Sequence, residues 1–243
     1  MPNQHFLTDR RFRVPRLWSN QELRKFSRLF HTDVVNVSAW KDEDKEGDLY
    51  RNYFNKALSY TITNFNTETY GSQGLPGELF LDLEQPLPKE LKGKFGVVFN
   101  HTTLEHVYDF RQAFVNLCDL SSDIVIIVVP FLQQMHAPYG DFWRFTPLAI
   151  KKMFEEQHME LLYLSFNEHP HSSVYLFCIA SKHPERWNSI KKDFSFTAMK
   201  KSVFDPSEPY VGNRAITNNI VYQFALCAEA LHTKIENLLR FKK

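Results

Sequence analysis

Apolar and β-branched residues in this chain gather into short unbroken runs rather than alternating with polar ones. The runs fall at Asp33 to Val37, Leu58 to Phe65, Glu78 to Leu83, Phe95 to Asn100 and Asp123 to Val129. Continuous runs of this length mark strands covered on both faces, and therefore a parallel sheet. Between the fourth and fifth runs, His106 to Leu120 carries Val107, Phe110, Phe114, Leu117 and Cys118 at helical spacing, and Pro147 opens a second helical stretch that ends at His158. Strand alternating with helix predicts a doubly wound α/β fold. The early connections are poorer in helix, because Asn66 to Gly77 holds two Gly-containing turn signals and Gln85 to Gly93 is rich in Pro and Lys. Met159 to Phe166 and Ser173 to Ser181 are two further apolar runs separated only by Asn167 to Ser172. That gap is too short for a crossover helix, so the pair forms a hairpin and brings one antiparallel strand into the sheet.

The two ends read differently from the middle. Ser19-Asn20-Gln21-Glu22 has the spacing of a capping box ahead of Leu23, Phe26 and Phe30, which predicts a short helix ending near His31-Thr32. At the other end, Pro206, Pro209 and Gly212 precede a helix-like stretch from Ala215 to Phe241 with Ile216, Ile220, Phe224, Leu226, Leu231, Ile235 and Leu238 among its apolar positions. A lid, a homodimerisation helix and a core-covering extension are all open readings of it. The organisation that follows is an N-terminal helical extension over residues 1–32, one α/β domain over 33–182 and a C-terminal extension over 183–243.

Charge adds little. Lys+Arg number 29 against Asp+Glu 28, a net charge of +1, so no global field draws in nucleic acid. Cys118, Cys178 and Cys227 lie far apart within apolar stretches, which predicts buried free thiols without zinc spacing or a disulfide framework and points to a reducing, cytoplasmic setting. The longest apolar run, Ile124 to Leu132, is broken by Pro130 and too short to span a bilayer, and the N-terminus lacks the order of a signal peptide. The expectation is a soluble protein whose 22 Phe residues fill a core, with aromatic contact surface as the alternative.

Candidate chemistry concentrates after the fourth and fifth strands. One run reads Asn100-His101, then Leu104-Glu105-His106-Val107; the other begins at His136 and closes on Asp141-Phe142-Trp143-Arg144-Phe145-Thr146-Pro147. In an open α/β sheet the carboxyl ends of the strands form the ligand crevice. His136 suits a general base or a loop-fixing bond to Asp141; Asp141 suits orienting His136, binding substrate or capping the turn. Arg144 suits a bidentate grip on an anion or stacking on an aromatic ring, and Trp143 suits packing on a ligand or in the core. Glu105 and His106 read most simply as the start of a helix, where the dipole favours Glu. The pair His169 and His171 lacks further ligands for a metal.

The element order and these two motifs together resemble the class I S-adenosylmethionine-dependent methyltransferases, and among them the small-molecule group called type 11, over roughly Asp33 to Lys182. The resemblance implies a Rossmann-like sheet of seven strands, mostly parallel with one antiparallel, and helices on both faces. It also implies S-adenosylmethionine as cofactor, no metal, and methyl transfer to a small polar acceptor, a sugar or glycan precursor foremost. Carried over by position, the cofactor side comprises the Ser38-Ala39-Trp40 turn, Asn64, Asp82 with Leu83 near the adenine, and Asn100 with His101. His136 and Asp141 would serve catalysis, and Trp143 and Arg144 would bind the acceptor. The chain departs from the family pattern in three places. Val37-Ser38-Ala39-Trp40 has no Gly-x-Gly, Asn64 stands where an acidic residue would bind ribose hydroxyls, and Gly96 replaces a usual acidic residue. These departures keep open a catalytically inactive relative that serves as a binding or scaffold protein. A Rossmann-like enzyme using another nucleotide is a third reading, opposed by the missing Gly-rich phosphate turn.

Overall fold

The structure, a computed structural model, describes residues 12–65, 71–136, 140–167, 169, 172–191, 211–212, 215, 224, 227–228, 231–232 and 235. Seven strands form one sheet: β1 (Asp33–Val37), β2 (Ser59–Asn64), β3 (Glu78–Phe80), β4 (Phe95–His101), β5 (Ser121–Leu132), β6 (Glu160–Phe166) and β7 (Val174–Ser181). Their order is β3-β2-β1-β4-β5-β7-β6. Pairs β2–β3, β1–β2, β1–β4 and β4–β5 are parallel, and β7 runs antiparallel to both β5 and β6. The expected mixed sheet is therefore present, and its order reverses between β1 and β4, the switch point at which such folds bind ligands.

Two strands differ from the apolar runs by more than two residues. β3 stops at Phe80 because the chain turns at once, with Asp82 Oδ1 accepting from Glu84 N at 2.9 Å. β5 extends to Leu132 because β7 pairs with it as far as Val174.

The sheet buries two cores. On one face α2 (Phe110–Leu120) and α3 (Pro147–Glu156) cover Val35, Val98, Val125 and Ile127. On the other, Leu23 and Phe26 of α1 (Arg13–Phe26) join Tyr50, Phe54, Val97, Phe99, Ile126 and Phe177. Phe30, Phe99, Phe114, Phe154 and Phe177 are among the largest fully buried side chains, so the Phe-rich core is real. Asp109 caps α2 by accepting from Gln112 N at 3.1 Å, while Leu104–His106 forms a separate 3₁₀ turn ahead of it. Thr146 caps α3 through Ala149 N at 3.2 Å, with Pro147 at the first turn. Among the described residues no α-helix lies between β1 and β4. The helical turns described in those connections are the 3₁₀ turns Tyr50–Asn52 and Lys89–Leu91.

The expected capping box is not one. α1 begins at Arg13, so Ser19 sits inside the helix, its hydroxyl bonded to Arg16 O at 2.9 Å and paired with His101 Nε2 at 2.8 Å. Glu22 reaches across to Tyr163 OH at 2.7 Å and Ser165 Oγ at 3.0 Å. Partners from β4 and β6 captured the polar groups that the local pattern had assigned to a helix start. Cys118 and Cys178 are buried, but Cys227 is exposed, against expectation. The C-terminal helix lies largely outside the described residues; those described between 215 and 235 are helical. His171 lies outside them too, and among the described residues no group of His, Cys, Asp or Glu is placed to hold a metal. No helix of the described residues is long and apolar enough to cross a membrane.

Candidate active site at the carboxyl ends of the strands

The turn after β1 is closed down onto β2. Ala39 N bonds Thr63 O at 3.1 Å, Ser38 N bonds Thr63 Oγ1 at 3.3 Å and Trp40 N bonds Asn64 Oδ1 at 2.6 Å. Asn64 Nδ2 donates to Trp40 O at 3.0 Å and to Glu78 Oε1, so both its N–H bonds are engaged within the protein. Burial raises the Glu78 pKa, but bonds from Asn64, Gln73 and Leu75 outweigh it and bring the carboxyl to about 2. Ser38 and Trp40 adopt left-handed backbone, φ 58° and 49°, as do Asp42 and Lys45 at 63° and 65°. This conformation costs a non-Gly residue roughly 1 kcal/mol.

Two buried carboxylates hold the loop that follows. Asp42 accepts from Asn36 Nδ2 at 2.8 Å, Tyr60 OH at 2.6 Å and Arg51 N at 3.0 Å. Asp44 accepts from Glu46 N at 2.7 Å, Asp48 N at 3.0 Å and Tyr53 OH. Gly96 has a steric reason: a Cβ there would collide with the Thr32 side chain, so the site has no room for an acidic residue.

The remaining cofactor-side residues separate. Asp82 is half-buried, and Leu83 O receives Asn116 Nδ2 at 2.9 Å. Asn100 is buried, donates to Val37 O at 3.0 Å and leaves its Oδ1 without a partner. His101 lies on the opposite face of the sheet, as alternation along a strand requires. It sits under α1 against Ser19, with Thr102 Oγ1 at 3.0 Å and the Tyr50 ring at 5.7 Å. Burial, reinforced by Arg16, holds its pKa well below the usual histidine range. Adjacent in sequence, Asn100 and His101 do not line one wall.

After β5, His136, Asp141 and Arg144 come together. All five N–H bonds of Arg144 are directed at protein acceptors: Nε to Gln133 O at 3.0 Å, NH1 to Trp143 O at 2.7 Å and Asp141 Oδ1, NH2 to Gln134 O at 3.1 Å and Asp141 Oδ2 at 2.8 Å. Arg144 thereby ties Gln133 and Gln134 to Asp141 and Trp143. Its bond is also the main reason the Asp141 carboxyl falls to about 2. His136 N donates to Asp141 Oδ2 at 2.6 Å, and His136 Nδ1 lies 3.1 Å from the same oxygen without hydrogen-bond alignment. Trp143 Nε1 donates to Val107 O and Tyr108 O, both at 3.1 Å, and its ring meets Phe110 at 4.6 Å.

Glu105, which the sequence presents as a helix start, lies in the 3₁₀ turn Leu104–His106. Glu105 is fully buried, and neither of its carboxylate oxygens has a hydrogen-bond partner. Its carbonyl is clamped by Phe142 N at 2.7 Å and Trp143 N at 3.3 Å. Burial pushes the carboxyl up to about 8, against the pull of Arg16 and Arg144. His106 Nδ1 bonds Gly140 O at 2.6 Å, and burial lowers its pKa. Gln133 Oε1 is another unpartnered buried atom, while Gln133 Nε2 donates to Tyr175 OH at 3.2 Å. Glu105 was visible in its motif, but Arg16 lies upstream of the expected helix start and gave no signal.

No family model matches the chain, and no curated protein matches it. Solved structures do match. A candidate methyltransferase from Bacillus halodurans is 13% identical, with 67% of this chain and 97% of that one covered at a TM-score of 0.51. An S-adenosylmethionine-dependent methyltransferase from Clostridium acetobutylicum is 10% identical over 69% of this chain and 91% of that one, TM-score 0.49. Magnesium protoporphyrin IX methyltransferase from Synechocystis is 11% identical over 69% and 83%, TM-score 0.47. At these identities the likeness concerns architecture, which the strand order states independently. The chain has the fold of the class I S-adenosylmethionine-dependent methyltransferases.

Proposed function

We propose that this protein transfers a methyl group from S-adenosylmethionine to a small polar acceptor, with sugars and glycan precursors the first acceptors to examine. The observation that carries the reading is Asn100 Oδ1, a buried acceptor without a partner at the end of β4, beside the switch point. A buried polar atom of this kind fits a ligand donor. Asp82 contributes a carboxylate with one oxygen occupied by Glu84 N, which leaves acceptor capacity for further donors. The Ser38-Ala39-Trp40 turn and Leu83 complete the cofactor wall, while Asn64 holds that turn and His101 supports β4 from behind. The cofactor supplies an electrophilic methyl on a sulfonium; the chain's task is to orient an acceptor in line with it and take up a proton. His136, Asp141, Trp143 and Arg144 shape the acceptor side, Arg144 by tying Gln133 and Gln134 to Asp141.

A second reading, a binding or scaffold protein without methyl transfer, is favoured by one feature. The β1 turn contains no glycine and is clamped by Asn64. Calorimetric titration of the full chain with S-adenosylmethionine and S-adenosylhomocysteine decides between them. Saturable micromolar binding supports methyl transfer, and absence of binding by folded protein supports the scaffold. Light scattering on the same sample tests a homodimer through the C-terminal segment.

A further inference from the structure

The two ends of α1 are held by different forces. From Asn20 onward the helix is anchored: Leu23 and Phe26 lie in the core, Asn20 donates to Asp44 O at 2.8 Å and Glu22 is bonded to Tyr163 and Ser165. The first turns instead touch the carboxyl ends of two strands. The Phe12 ring lies 5.2 Å from that of His136 in the loop after β5. Arg16 NH2 donates to Thr102 Oγ1 at 3.0 Å, and Ser19 Oγ meets His101 Nε2 at 2.8 Å, both at the end of β4. Arg16 N bonds Phe12 O at 3.2 Å, so a single helical turn links the two contacts.

The bonds at β4 close into a ring whose direction is fixed at both ends, because a guanidinium only donates and a carbonyl only accepts. Ser19 Oγ gives its proton to Arg16 O at 2.9 Å, so it accepts from His101, and the His101 proton sits on Nε2. Nδ1 then holds a lone pair and accepts from Thr102 Oγ1 at 3.0 Å, which in turn accepts from Arg16. The other neutral tautomer would turn Ser19 away from Arg16 O and leave the Thr102 proton over. Thr102 has left-handed backbone, φ 50°, which a β-branched residue keeps only where its surroundings over-determine it.

A second proton on His101 disturbs this order. Placed on Nδ1, it points at Thr102 Oγ1, displaces the hydroxyl's own proton and sets an imidazolium and a guanidinium on one oxygen. Among the described residues those packed around His101 supply no anion: Arg16 and Ser19 from α1, Tyr50 at 5.7 Å from the turn Tyr50–Asn52, Phe99 at 6.1 Å from β4 and Val128 from β5. The charge that acts on His101 is that of Arg16, whereas Asp42, Asp44 and Glu46 act on Tyr50. Glu105, whose carboxyl is pushed up to about 8, is protonated below that pH and gives Arg16 no counter-charge.

We propose that the first turn of α1 is a pH-gated clasp over the carboxyl ends of β4 and β5, closed while His101 is neutral with its proton on Nε2 and opening from Phe12 to Arg16 when His101 takes a second proton. Opening lifts the Phe12 ring off His136 and uncovers the acceptor wall; that consequence rests on the function proposed above, and the clasp itself does not. The sign follows from the lowered pKa of His101 in the closed form. Closure is fully stabilised above the ordinary 6.5 and weakens as pH falls through it, the open-to-closed ratio rising by at most about tenfold per pH unit.

The test is amide hydrogen exchange in the full chain between about pH 4.5 and 7.5, corrected for the intrinsic rate at each pH. Protection at Arg16 and Leu17 should fall by up to about tenfold per pH unit below 6.5, while Leu23 and Phe26 keep theirs. In His101→Gln, which takes no proton, protection at Arg16 and Leu17 should stay level with pH. Ring-nitrogen spectra of histidine-labelled wild type, assigned through the contact with Ser19, supply a reading that needs no variant. His101 should carry one proton, on Nε2, and should begin to titrate only well below 6.5. A proton on Nδ1, titration near 6.5 with α1 protection unchanged, or equal loss of protection along all of α1 overturns the clasp. So does the same pH slope in His101→Gln. Neither measurement involves a cofactor, so a chain that binds no S-adenosylmethionine can still pass and one that binds it can still fail.

Discussion

The two halves of the sheet reach the same topology by different means. From β4 to β6 the connections are α-helices with capped starts, and α2 and α3 bury Phe114, Leu117, Ile150 and Phe154 against the strands. Between β1 and β2 the connection is a loop whose order comes from Asp42 and Asp44, each buried and each accepting several hydrogen bonds. Strand order is thus carried by the apolar runs themselves, and a crossover helix can give way to a satisfied polar network. A network of this kind contributes little per bond, but it is expensive to leave incomplete.

If the helical half depends on packing, Phe114→Ala should show the largest effect, a loss of about 3–5 kcal/mol for a buried Phe, read from urea denaturation. A smaller loss would mean that α2 is dispensable. In the loop half, Asp42→Asn keeps the volume but weakens charge-assisted bonds, so about 2 kcal/mol should be lost. An effect below about 0.5 kcal/mol, the range of ordinary surface substitutions, would show that the network follows the fold and does not sustain it.

The acid groups give a third contrast. Glu105 has its pKa raised from an ordinary 4.5 to about 8, so the unfolded chain releases this proton first. Native stability should therefore fall as pH rises from about 4.5 to 8, by at most about 1.4 kcal/mol per pH unit, and Glu105→Gln should flatten that slope. Asp141 has the opposite sign. Its stabilisation is complete above the ordinary 3.8 and is lost as pH falls toward 2. Melting temperatures at closely spaced pH values would reveal both windows, and an unchanged slope in Glu105→Gln would sink the assignment. The smallest effect is expected at Ser38→Gly, which relieves a left-handed residue and should gain no more than about 1 kcal/mol; a loss would show that the Ser38 side chain contributes something beyond its backbone.

All seven strands were legible because a strand buried on both faces writes its apolar run directly into the sequence. Local signals failed where a distant partner intervened. Ser19 and Glu22 have the spacing of a capping box, yet His101, Tyr163 and Ser165 claim their side chains. The candidate site was half legible for the same reason. An approach of His136 to Asp141 was readable from their spacing, whereas the capture of Arg144 by Asp141 was not, and Arg16 reaches Thr102 only because α1 folds back across β4. The left-handed turn at Ser38 and Trp40 left no trace because those residues carry none of the glycine that usually announces it.

Gly96 and Thr32 have a consequence for descent. Because the Thr32 side chain fills the space that a Cβ at position 96 would need, the two positions can change only in order. Residue 32 must shrink before residue 96 can grow, and the reverse path passes through a clashing intermediate. A side chain at position 96 therefore requires two substitutions made in that order, and a single change there should fail where the same change beside a smaller residue 32 is tolerated.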